Sequence, residues 1–392
     1  MTASEAGANR RTWGLVAVAF IVIEGLGQQM RGPLLAEFQS TFGVDTALLG
    51  LVAPAGTVGF VLAVLGGGAL LGRGRPKQFL LAGSTVMALA VLVVGLAPSF
   101  LVLLGGFTVR AVATGTFRAA DKPVLSHLFA ERRGRVLNLY ELAWSIGAAA
   151  GPVLATLVLA VASWRVAYGL LFLLLVPIVV VVYRTPLSLP GRGEAPFTLD
   201  GLRVLSRRPA IVGMTLALVT SGGIEGAIFL WLPTYLRTAF DPATANLALS
   251  AYLVTYVPAR AVYTLVVDRV GYLNLLVTAG AGVVPLFAYA FGMASGWGIV
   301  VAAVASGFFV AGLFPTLAAY GVSAAPEYSG PVNGLSLAAS YAGGTVSPVV
   351  VGVVAANQGI QAGMQVLVLL AVVFFVVVAG LRVGSATGWT AA

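Results

Sequence analysis

Nine ionisable side chains stand inside stretches of this sequence that are otherwise apolar: the cations Arg31, Arg110, Arg118, Lys122 and Arg260, and the acids Glu24, Asp121, Glu141 and Glu225. At the centre of a bilayer an ionised side chain costs about 2.5–3.5 kcal/mol on insertion scales, so residues of this kind mark substrate or ion pathways, or pair with one another. Guanidinium groups grip carboxylates and phosphates through parallel charge-assisted hydrogen bonds. Carboxylates sheltered in a helix bundle can take up and release protons. The cations outnumber the acids, which leaves the interior mildly positive. That balance points to a small anionic or strongly polar solute moved together with protons.

Helix geometry groups these residues. At 100° per residue, with Arg110 as zero, Thr114 falls at about 40°, Arg118 at about 80°, Asp121 at about 20° and Lys122 at about 120°, a polar stripe about 18 Å long on one helix. Arg118 and Asp121 are expected to pair, leaving Lys122 or Arg110 free. Arg118 and Lys122 are candidate substrate ligands, Asp121 a candidate proton carrier and Arg110 a candidate gating residue. In the first apolar stretch Glu24, Gln28 and Arg31 recur at i, i+4 and i+7, so Gln28 and Arg31 can act as ligands beside a proton site at Glu24. Glu225, ahead of Trp231 and Tyr235, is the third candidate proton site. Tyr252, Tyr256, Arg260 and Tyr263 occupy an arc of about 80°, with Pro258 able to kink their helix; Tyr256, Arg260 and Tyr263 form a candidate substrate wall. Glu141, one turn inside its helix, is a candidate gating residue able to bond the arginines of the ERRGR turn or the first helix of a neighbour. The competing reading of all these residues is structural: fixed ion pairs between helices, snorkelling of Arg31 to the interface, and aromatic packing.

The elements that carry them must be membrane helices. Of 392 residues, 59% are hydrophobic and 9% charged, against about 25% charged in soluble domains. Apolar runs of roughly 20 residues, enough to cross about 30 Å of hydrocarbon, recur twelve times along the chain. The 49 glycines are spread through these runs, where small residues let helix backbones approach closely. There is no cysteine and a single histidine, His127, so neither a thiolate nor a histidine metal centre is expected, and no cofactor is implied. No G-x-x-x-x-G-K-S/T loop occurs, which assigns the driving force to gradients or an external partner rather than to nucleotide bound by such a loop. The net charge of +9 comes from arginines and lysines gathered in alternate short loops, the pattern of positive-inside topology rather than of nucleic-acid binding. That pattern puts both termini in the cytoplasm. Residues 1–12 lack a signal-peptide cleavage pattern, so the first apolar segment is expected to remain as a span.

The one long connection, from Arg184 to Pro209, is rich in Pro, Gly and Arg. It divides the chain into an N-terminal six-helix bundle over 1–190, a cytoplasmic linker over 191–209 and a C-terminal six-helix bundle over 210–392. Within the linker, FTLDGLRVLSRRP reads either as a short helix on the membrane surface or as disordered chain. The two halves echo one another: residues 67–83 and 265–280 each set a tight charged turn between two apolar helices, which suggests duplicated bundles.

Those turns carry a family resemblance. Asp268-Arg269-Val270-Gly271 resembles the D-R-x-G-R-R-type turn between the second and third helices of each half of a major facilitator superfamily transporter, and Gly72-Arg73-Gly74-Arg75 resembles its N-terminal copy without the acid. The resemblance implies gating roles for Arg73, Arg75, Asp268 and Arg269. The run Glu131-Arg132-Arg133-Gly134-Arg135-Val136-Leu137-Asn138-Leu139, followed by Gly147-Ala148-Ala149-Ala150-Gly151-Pro152, is similar to the fourth-to-fifth-span turn of the fucose and sugar permease branch. Residues 33–44 and 312–321 look like the first and tenth helices of that branch. The likeness breaks where sugar chemistry would sit: the acid and amide preceding the proline of the fourth span are replaced by Arg118 and Lys122, and the acid following the Gln28-Gln29 pair by Gly32.

The expectation is therefore an all-α polytopic membrane protein with twelve transmembrane helices in two pseudo-symmetric bundles. It is expected to be no enzyme but a monomeric secondary active transporter of the cell membrane, working by alternating access and by proton symport of a small anionic organic solute. A neutral sugar/proton symporter and an efflux carrier for amphipathic drugs or lipids are the alternatives. Its partners are the small-molecule substrate, protons and the lipid bilayer.

Overall fold

The computed structural model describes residues 3–71, 76–187 and 203–386. Among them there is no strand, and twelve helical stretches are long and apolar enough to cross a membrane: Asn9–Gln29, Thr46–Val64, Pro76–Gly95, Phe100–Leu128, Leu139–Leu159, Trp164–Arg184, Pro209–Leu236, Pro242–Val270, Tyr272–Met293, Trp297–Ala324, Pro331–Gln358 and Ile360–Ala386. They are numbered here as spans one to twelve. Arg73 and Arg75, most of the linker and residues 197–202 of the proposed surface helix lie outside the described residues.

The chain forms two compact units, Met1–Phe42 with Ala55–Pro196 and Gly43–Pro54 with Phe197–Ala392. The short segment Gly43–Pro54 groups with the second unit because it packs on span eleven: a Cβ on Gly50 would stand 3.0 Å from Val349 Cα and 3.1 Å from the Pro348 carbonyl.

Each unit has a helix crossing so close that a glycine must stand at it. Span five meets span one where a Cβ on Gly147 would lie 2.1 Å from the Val22 carbonyl oxygen, with Gly25 and Gly151 similarly close to backbone. Span eleven meets span seven in the same way, a Cβ on Gly343 falling 1.8 Å from the Val219 carbonyl and one on Gly222 2.0 Å from that of Ser340. Spans one and five thus recur as spans seven and eleven. The backbone approach supplies dispersion contact where lipid offers no hydrophobic drive for helix association.

Prolines set the breaks that position the polar residues. A helical proline cannot bond the carbonyl four residues earlier. Pro33 accordingly separates Ala3–Gln29 from Arg31–Phe42, Pro258 separates Pro242–Val254 from Tyr256–Val270, and Pro315 separates Trp297–Val310 from Leu313–Ala324. Span four stays continuous over Phe100–Leu128, capped by the Ser99 hydroxyl, which accepts from the Val102 N–H. Apolar side chains are left exposed on the outer faces, among them Leu101, Leu173 and Val301, as a lipid-facing surface requires.

Candidate transport site

In the first unit, span five carries Tyr140, Trp144, Gly147 and Gly151 along one stripe. The glycines bring it against span one, and the two aromatic residues then reach the buried acids of its neighbours. The Tyr140 hydroxyl donates to Asp121 of span four. The Trp144 indole Nε1 donates to Glu24 Oε2 of span one at 2.7 Å. Asp121 also accepts from the Lys122 backbone N–H at 2.5 Å and is 1% exposed.

Glu141, next to Tyr140, serves the cations. Its Oε1 lies 2.7 Å from Lys122 Nζ and 3.8 Å from Arg118 Nη2. Both cations also sit over the Tyr140 ring, each 5.9 Å from its centroid, and Arg118 is 5.8 Å from that of Phe60. Arg118 acts on Asp121 electrostatically. Of the two cations that the helical wheel offered as free, Lys122 is thus engaged by Glu141, and Tyr140 meets Asp121 while Glu141 meets its neighbours.

Arg110 lies two to three turns away, only 2% exposed, in different surroundings. It makes no hydrogen bond or ion pair among the described residues, and its Nε and Nη1 are buried without a partner. Beside it stands Gly27 of span one, whose Cβ position is 3.7 Å from Arg110 Nη1 and 3.1 Å from Leu171 Cδ1 of span six; Phe107, three residues before Arg110, has its ring 5.9 Å from that of Tyr168 of span six. The break at Pro33 brings Arg31 into the same neighbourhood, its Nε donating to the Gln28 carbonyl at 3.0 Å.

The second unit builds a smaller polar group. Tyr256 donates to Glu225 Oε1 at 2.8 Å, and the Arg260 guanidinium sits 5.5 Å from the Tyr256 ring centroid. Arg260 Nε also donates to the Ala311 carbonyl at 3.4 Å, the carbonyl that Pro315 leaves without its helical donor. Tyr263 donates to the Phe309 carbonyl at 2.7 Å and lies flat against Gly312. Trp231 and Tyr235 likewise donate to main-chain carbonyls, those of Pro348 and Ala290. Asp268 and Arg269 are exposed on the last turn of span eight, which Gly271 ends with φ +82°. Sequence reasoning passed over Tyr140, Trp144 and Tyr168; for the first two the i, i+4 spacing ahead of Gly147 and Gly151 was the available signal.

Twelve apolar helices with charged and polar groups held between them are the organisation of a polytopic membrane transporter. The model of the Major Facilitator Superfamily matches residues 17–241, and the chain belongs to that superfamily: it is a transporter, not an enzyme. It is 28% identical over 214 residues to the uncharacterized MFS-type transporter YfkL of Bacillus subtilis (strain 168), a match covering 50% of this chain and 53% of that protein. The aligned part is thus about half the length of that relative. Among solved structures it is similar to the nucleoside transporter NupG (TM-score 0.80, 12% identity, 96% of this chain and 99% of that one). It is also similar to a bacterial homolog of the human lysosomal transporter Spinster (0.78, 12%, 97% and 98%). The Escherichia coli fucose:proton symporter FucP is a third likeness (0.64, 18%, 94% and 98%). At these identities the likeness establishes the fold.

Proposed function

We propose that this transporter moves a small polar, anionic organic solute across the cell membrane by alternating access, in symport with protons, with both termini in the cytoplasm. The observation that carries the reading is the cluster on spans four and five, where Arg118 and Lys122 share one carboxylate, Glu141, beside the buried Asp121–Tyr140 pair. An incoming carboxylate or phosphate competes with Glu141 for the two cations. A proton on Asp121 removes the charge that acts on Arg118, so proton and anion are linked through the same side chains. Glu24, held by Trp144, and Glu225, held by Tyr256 near Arg260, are the further protonation sites. Gln28 and Arg31 in the first unit, and Tyr256 and Arg260 in the second, are the further substrate-handling residues; Asp268 and Arg269 keep the gating role the family motif implies.

The test is uptake into proteoliposomes of labelled carboxylates and phosphorylated metabolites at two external pH values. Uptake of an anion that accelerates under an inward proton gradient supports the reading. Uptake of fucose with no anion transport replaces it with the neutral sugar/proton symporter, and proton-driven movement of amphipathic drugs replaces it with the efflux carrier.

A further inference from the structure

We propose that Arg110, with Tyr168 and Arg31, forms a buried seat for the oxyanion of the transported solute, separate from the Arg118–Lys122–Glu141 cluster. The proposal rests on the anionic-substrate reading and adds to the Arg118–Lys122 pair a second, more deeply buried set of atoms able to receive the charge.

A guanidinium withdrawn from water is strongly penalised unless an opposite charge or hydrogen-bond acceptors meet it. Arg110 is among the largest fully buried side chains, yet its Nε and Nη1 reach no acceptor among the described residues. The nearby acids are committed elsewhere. Asp121 lies eleven residues further along the same helix, about 16 Å away by helical rise, and bonds Tyr140. Glu24 accepts from Trp144.

Other groups around Arg110 also favour an anion. The Tyr168 hydroxyl is buried and has no hydrogen-bond partner among the described residues, and both Arg110 and Arg31 act on it electrostatically. A hydroxyl and a guanidinium, both donors left unmatched in one place, call for an acceptor with several lone pairs. Span one presents Gly27 there, its Cβ position 3.7 Å from Arg110 Nη1 and 3.1 Å from Leu171 Cδ1, so this residue of span one sets no side chain of its own against the guanidinium. An aromatic set, with Phe107 5.9 Å and Trp164 6.0 Å from the Tyr168 ring, walls the group off from solvent, and Phe38 packs on both. In such surroundings charge-assisted bonds to a carboxylate or phosphate are at their strongest.

The experiment measures thermal unfolding of the purified full chain in detergent, with succinate or inorganic phosphate titrated against sodium chloride at matched ionic strength, alongside proteoliposome uptake of the same two anions. Wild type is expected to be stabilised by at least one of them, succinate marking a carboxylate substrate and phosphate a phosphorylated one. Arg110→Gln is expected to unfold at the same or a higher temperature without anion, because it removes a buried charge that has no partner. Its apparent affinity should fall about tenfold or more, the scale of one charge-assisted hydrogen bond, with uptake falling in parallel. Tyr168→Phe keeps the ring packing and should weaken binding by a smaller factor. A lower anion-free unfolding temperature in Arg110→Gln with unchanged anion response overturns the seat and makes Arg110 a structural residue. Anion uptake by wild type that persists in Arg110→Gln overturns the seat but leaves the anion carrier standing. Absence of any anion uptake by wild type overturns both.

Discussion

The hydroxyl of Tyr140 on span five donates to the carboxylate of Asp121 on span four, in the interior of the first unit. This bond fixes which of the four span-four charges is held by a neutral partner and which are left to Glu141.

Removing that donor exposes its contribution. Tyr140→Phe leaves a buried carboxylate short of one hydrogen bond, a loss of about 1–3 kcal/mol, and is expected to lower the unfolding temperature in detergent. Tyr168→Phe is the control, because the Tyr168 hydroxyl has no partner to lose; it should unfold close to wild type in the absence of anions. Equal destabilisation by the two substitutions would remove the Tyr140–Asp121 bond from this account.

Asp121→Asn retains the acceptor for Tyr140 and removes the titrating group. Uptake by this variant is expected to lose its dependence on the proton gradient while the protein remains folded, as checked by gel filtration and initial rates at two pH values. Gradient-dependent uptake in the variant would transfer the proton role to Glu24 or Glu225.

Gly343→Ala places a methyl group 1.8 Å from the Val219 carbonyl oxygen. Spans seven and eleven must then separate, at about 1–3 kcal/mol for an overpacked interface and more if neither backbone can shift. A lower unfolding temperature and poorer recovery of monodisperse protein are the expected results. Gly292→Ala, where nothing lies within 4 Å of the added carbon, should leave both unchanged.

Outside the membrane segments, Arg208 Nη2 donates to Glu327 Oε1 at 2.6 Å and the guanidinium sits 5.6 Å from the Tyr328 ring centroid. The Glu327 backbone N–H, and then Arg208, hold this carboxyl below its ordinary value of 4.5. A carboxyl depressed in the folded state contributes stability above its unfolded value and loses it as pH falls through the folded one. The unfolding temperature of wild type should therefore exceed that of Glu327→Gln at neutral pH, and the gap should close below pH 4.5. The group is exposed, so the gap is expected to be small.

The sequence by itself determined the membrane class, the twelve spans, the superfamily and the set of polar residues that the bilayer would otherwise reject. Each follows from local properties: run length, composition, turn motifs and the angular spacing of residues on a single helix. Proline positions likewise anticipated the kink in span eight. Only the tertiary structure decided the partners. The wheel of span four places Arg110, Thr114, Arg118, Asp121 and Lys122 on one stripe but carries no information on the rotation, tilt or axial register of span five against it. Those are set by the Gly25, Gly147 and Gly151 crossing with span one, a contact between residues more than a hundred positions apart. With that register, Tyr140 reaches Asp121, Glu141 reaches Lys122, Trp144 reaches Glu24, and no acid among the described residues reaches Arg110.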